Sequence, residues 1–193
     1  MRSWRGLIAL VTKDLAIEWR TRETFNAMFI FAVMVVVIFN FAIELRLDNV
    51  AQVAPGALWV AFAFAGVLGL NRSLARERDD GCLDGLLLAP VERSTIYVAK
   101  VGANLVFMLG TEALILPLFA VLFGVNVLRL DLLVVVFLGT VGLAGVGTLL
   151  ATIAVHTRAR DVLLPVLLLP VSVPLLIAAA KATAGLLDGL GLG

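Results

Sequence analysis

The sequence predicts an all-α integral membrane protein, a bundle of five spans with one charged segment held outside the membrane. Three observations carry this reading. Of 193 residues, 62% are apolar and 15% charged, against about one quarter charged in a soluble domain. Several charge-free runs reach or approach the roughly 20 residues that one span needs. Ten of the 29 charged residues crowd into positions 71–100, five of each sign. The runs are continuously apolar, which disfavours a β-barrel, whose strands alternate over roughly ten residues. Five spans leave no room for a water-soluble domain, so residues 1–193 read as one transmembrane unit.

Residues 3–22 are basic, but Lys13, Asp14 and Glu18 interrupt any signal-peptide core. Trp4, Leu7, Ile8, Val11, Leu15 and Trp19 fall at helical spacing, as in a helix lying in the membrane interface. The first span, about 25–43, is rich in Val and Phe and reads as structural. The second, about 54–70, places Ala57, Ala61, Ala65 and Gly69 four apart, a small-residue stripe that lets another helix approach closely. The third, about 101–123, contains Pro117 and Glu112. An acid in mid-span points to the bundle interior or a watery cavity. It either contributes to a gate or substrate route, or braces two helices as a hydrogen-bonded carboxyl. The fourth, about 132–155, carries Gly139, Gly142, Gly145 and Gly147; with no preceding strand these are packing glycines, not a nucleotide loop. The fifth, about 162–180, holds Pro165, Pro170 and Pro174, expected to kink or break it.

Lys and Arg are distributed asymmetrically over the segments between spans. The counts are five before the first span, then one, five, one, two and one. Twelve on one side against three on the other predicts a cytoplasmic N-terminus. Cys82 is the one cysteine, so no internal disulfide forms, and it falls on the reducing side.

Residues 71–100 read NRSLARERDDGCLDGLLLAPVERSTIYVAK. Arg72, Arg76 and Asp80 follow at i, i+4, while Leu83, Leu86 and Leu87 form an apolar stripe before Pro90. This predicts an amphipathic helix in water, offered to a partner.

The chemistry open to the chain is narrow. No GxxxxGK[ST] occurs, so ATP drive must come from another polypeptide. There is no HExxH, no CxxC and one histidine, so no protein metal site is expected. His156 reads as an interfacial histidine, with axial haem ligation the competing role. No basic run interleaved with aromatics points to nucleic acid. Asp79, Asp80 and Asp84 form the one acidic cluster and raise a competing enzyme reading, a magnesium-dependent lipid-head-group transferase. The CDP-alcohol phosphotransferase pattern is not completed, because its AR and downstream aspartates are missing after Asp80 and Gly81.

The stretch from Ala54 to Leu105, APGALWVAFAFAGVLGLNRSLARERDDGCLDGLLLAPVERSTIYVAKVGANL, resembles the central segment of the CcmB family, membrane subunits of the haem exporter of cytochrome c maturation. LGTVGLAGVGTLLATIAVHTRARDVLLPVLLLPVSVPLLIAAAKAT in the second half is similar to the same family. The resemblance implies an ABC-2 type (type V exporter-like) permease in the bacterial inner membrane, an ABC-2 permease for another substrate being the alternative. It further implies a homodimer working with the ATPase subunit CcmA, alongside CcmC, CcmD and the haem chaperone CcmE. Arg76, Glu77, Arg78, Asp79, Asp80, Gly81, Cys82, Leu83, Asp84, Leu86 and Leu87 would then form the coupling helix, seated in a groove of the ATPase. Haem would be the molecule handled, and ATP would enter through the partner. Family members have six spans; the five here imply that the sixth is missing or dispensable.

Overall fold

In hydrocarbon a long apolar run satisfies its backbone by closing its own i→i−4 ladder, and these runs do so. The computed structural model describes residues 2–44, 50–79, 92–127, 129–154, 157 and 160–187. Among them the chain forms six helices and no strand: α1 Arg2–Thr21, α2 Glu23–Glu44, α3 Val50–Asp79, α4 Arg93–Phe123, α5 Leu130–Ala154 and α6 Arg160–Leu187. Five of these, α2 to α6, are long and apolar enough to cross a membrane.

Hydrogen bonds between helix ends show that successive spans run in opposite directions. At one end Arg72, late in α3, donates to the Glu23 carbonyl at the start of α2 at 3.5 Å. At that same end Arg78 of α3 donates to the Thr157 carbonyl, just past α5, at 3.3 Å. At the opposite end Asn40 donates to the Leu122 carbonyl at 2.8 Å. There, too, Arg129 donates to the Leu186 carbonyl at 2.9 Å.

The span α3 is the hub and touches all four others. In its segment Val53–Ser73, 72% of the most apolar window is buried, against 17% for Glu23–Ala42 of α2. The small-residue stripe explains the closeness: Ala57, Ala61 and Ala65 are buried in the core. A Cβ on Gly69 would sit 2.4 Å from the Met28 sulfur of α2. On α5, a Cβ at Gly139 would fall 2.2 Å from the Trp59 ring and one at Gly147 2.4 Å from Leu70, both residues of α3. Gly142 meets Leu175 of α6, its Cβ position 3.0 Å from that side chain. At Gly145 a Cβ would meet nothing within 4 Å in this chain. It turns away from the α3 contact, and its carbonyl accepts a hydrogen bond from the Tyr97 hydroxyl at 2.9 Å instead.

One expectation is revised. The prolines Pro165, Pro170 and Pro174 do not break α6, which continues from Arg160 to Leu187. Prolines are tolerated inside a span whose neighbours hold it; Leu164, Leu168, Ala179 and Leu186 are all buried, and Thr183 accepts the Trp59 indole N–H at 3.0 Å. Most of the helix expected in the charged segment falls on residues 80–91, which lie outside the described residues. Residues 71–79 extend α3 and residues 93–100 open α4. With 30 and 31 residues, these helices are about 45 Å long at 1.5 Å per residue, some 15 Å more than the roughly 30 Å of hydrocarbon. The overhang is where the charges are.

Candidate functional site

The end of the bundle where α3 leaves and α4 returns concentrates the predicted partner-binding residues. Arg76, Glu77, Arg78 and Asp79 form the last turn of α3. Asp80, Gly81, Cys82, Leu83, Asp84, Leu86 and Leu87 lie outside the described residues, as does His156. No group of three metal-ligating side chains occurs among the described residues.

The same end is braced by α1, through two acids that sequence periodicity assigns no role. Val11 and Leu15 are half-buried, as an apolar stripe should be, whereas Ile8 and Trp19 point away from the protein, 47% and 79% exposed. Asp14 and Glu18, four residues apart, are buried. Asp14 receives Lys100, from the third turn of α4, at 2.5 Å, and Lys13 approaches its other oxygen at 3.2 Å. Glu18 accepts the Phe25 backbone N–H at 2.8 Å. That N–H is one of the first-turn donors of α2 that no helical carbonyl can reach, so Glu18 caps the first span. The chain turns between α1 and α2 on a single residue, Arg22, in the left-handed region at φ 55°.

Deeper in the bundle, α4 and α5 share two polar rungs. Asn104 donates to the Thr148 hydroxyl at 3.0 Å. The Thr140 hydroxyl lies 2.8 Å from both oxygens of Glu112 and 2.8 Å from the Val136 carbonyl. A threonine hydroxyl has one proton to give. Thr140 shares that proton between the Glu112 carboxyl on α4 and the Val136 carbonyl of its own helix. Eight residues separate the rungs on each helix, about 12 Å at the helical rise, so they seal the antiparallel pair at two depths. All four side chains are buried. The Glu112–Thr140 rung joins α4 to α5 across their interface.

Against this framework the comparisons with known proteins are decisive. The family model described as CcmB protein matches residues 5–189. This chain belongs to the CcmB family. Among its relatives is heme exporter protein B of Rhodobacter capsulatus, 32% identical over 185 residues, covering 95% of this chain and 85% of the relative. The protein of that name from Pseudomonas aeruginosa is 31% identical, covering 89% and 77%. That from Paracoccus denitrificans is 31% identical, covering 90% and 80%. The CcmB match takes in all five spans, so the fold described above is a multi-pass transmembrane CcmB permease fold.

In this CcmB chain, sequence reasoning located Glu112 but not its partner. Thr140 belongs to a row of small residues spaced by four, Thr140, Ala144, Thr148 and Thr152, three of them threonines, and that spacing was the available signal. The Lys100–Asp14 pair had none. Its members are 86 residues apart, and each sits in a charged stretch where solvent exposure is the ordinary state.

Proposed function

We propose that the chain is the permease subunit of a haem-exporting ABC transporter, seated in the bacterial inner membrane with its N-terminus in the cytoplasm. The observation that carries this is the CcmB match over residues 5–189, with relatives named heme exporter protein B across the same length. The chain works as a homodimer with the ATPase CcmA, alongside CcmC, CcmD and the haem chaperone CcmE. ATP is bound and hydrolysed by the partner, and the permease couples that cycle to haem delivery and release of the haem-loaded chaperone.

In this reading the segment from Arg76 to Leu87 seats in a groove of the ATPase. In the chain it links α3 and α4, helices of 30 and 31 residues. Closure of the ATPase dimer moves this segment. The motion passes into α3, the most buried span, and into α4. The Lys100–Asp14 pair carries α1 along with α4, and the rungs at Asn104–Thr148 and Glu112–Thr140 carry α5.

The test is to delete the gene and measure covalent haem in c-type cytochromes by haem staining and difference spectra, with and without complementation by this chain. Loss of cytochrome haem restored by the chain is the expected result. Unchanged cytochromes would assign it to another ABC-2 substrate.

A further inference from the structure

A cavity of about 580 Å³ opens between the last turns of α1, the first turn of α2 and the middle of α4. Its volume lies within the range of ligand pockets, about 300–1,000 Å³. Leu15, Phe25, Val106 and Phe107 line it with apolar side chains. Gly110 opens it further, for a Cβ there would stand 3.3 Å from the Phe25 ring. Three polar residues, Glu18, Arg22 and Asn26, gather on the side of the α1–α2 turn.

Its level in the membrane follows from the helices that build it. Phe25 and Asn26 lie in the first turn of the α2 span, Glu23–Ala42. Gly110 lies ten residues beyond Lys100, about 15 Å further along α4. The cavity therefore runs from the water–membrane boundary into hydrocarbon depth. Trp19 lies at its rim with the Arg22 guanidinium 5.8 Å from the ring centre, the residue types that settle at the headgroup level. An apolar chamber entered at that level receives acyl chains, and its polar end receives whatever head they carry.

The polar end presents both signs of charge. Arg22 offers a planar donor fork to a phosphate. Glu18 presents a carboxylate, whose roughly four acceptor positions allow it to meet an ammonium beside the partners it already has, Phe25 among them. A head that carries a phosphate and a hydrogen-bonding ammonium matches both. A choline head has no N–H to donate, and a glycerol head brings only negative charge, which Glu18 repels. We propose that this cavity binds one phospholipid of the phosphatidylethanolamine class, its phosphate at Arg22, its ammonium at Glu18, and an acyl chain against Val106 and Phe107. Such a lipid would fill the wedge between α1 and α4 and make the seating of α1 depend on headgroup composition.

The test is native mass spectrometry of the full chain released from detergent micelles. The micelles contain equal amounts of phosphatidylethanolamine, phosphatidylcholine and phosphatidylglycerol with identical acyl chains. One retained phosphatidylethanolamine is expected, favoured over each competitor by about tenfold, the worth of one charge-assisted contact. Arg22→Asn removes the charge while keeping a residue that tolerates the left-handed backbone, and should lower the adduct by a similar factor. Val106→Trp fills the chamber from α4, away from the polar end, and should abolish the adduct with helix content by circular dichroism unchanged. Equal retention of the three lipids, preference for phosphatidylglycerol, or an adduct indifferent to both variants would overturn the proposal. Should either variant fail to fold, the competition in the unaltered chain decides alone.

Discussion

The Nζ of Lys100 on α4 lies 2.5 Å from Oδ2 of Asp14 on α1, and both side chains are more than nine-tenths buried. This contact joins the amphipathic N-terminal helix to the base of the span that leaves the charged segment. An ion pair so enclosed contributes little net stability when intact, but losing one partner strands the other charge. Its value here is positional: α1 cannot slide along α4 without separating the two.

Lys100→Met should therefore destabilise the protein by about 3 kcal/mol, at the lower end for a broken buried pair because Lys13 still faces Asp14. Asp14→Leu combined with Lys100→Met should recover most of the loss. Thermal unfolding in detergent, run as a double-mutant cycle, measures this, and additive losses would contradict the pairing.

The α4–α5 seam makes a different prediction. Glu112→Gln keeps an acceptor for the Thr140 hydroxyl, so the amount of protein in the membrane should be unchanged and cytochrome maturation retained. Thr140→Val removes the shared partner and should cost about 1 kcal/mol, the usual worth of a hydrogen bond between spans. Normal protein levels with lost maturation in Glu112→Gln would favour the gating role for this acid.

Two glycines of α5, Gly139 and Gly145, separate cleanly in a packing test. Gly139→Ala drives a methyl into the Trp59 ring, which its indole hydrogen bond to Thr183 holds in place, and should cost about 1–3 kcal/mol by overpacking. Gly145→Ala enters open space in this chain and should be neutral or stabilising by up to about 1 kcal/mol through helix propensity. The ratio of folded to aggregated protein on heating reads both. A large loss in Gly145→Ala would place that position in an interface with another copy.

Leu83→Asp with Leu86→Asp should reduce co-purification of the ATPase by roughly tenfold or more, since two apolar anchors of a helix-in-groove contact are removed. Membrane insertion should be unaffected, because these residues lie between spans. Undiminished ATPase recovery would sink the coupling role of this segment.

What the sequence by itself determined is the number of spans, their alternation and the place of the charges. These depend on quantities that accumulate locally: about 20 apolar residues make a span, and ten charges in 30 positions cannot lie in lipid. Spacing also exposed the Ala57–Ala61–Ala65 stripe, because small residues four apart share a face whatever they face. Tertiary structure alone decided which faces meet. Gly139 and Gly145 are equivalent as glycines on one helix, and only the position of Trp59 separates them. The carboxyl of Glu112 was legible as a buried acid, yet its satisfaction depends on Thr140, 28 residues on and across a helix interface. Asp14, Glu18 and Lys100 carry the residue types of a solvated surface. They are buried because α1 folds back onto α4, and no local pattern encodes an encounter between segments 86 residues apart.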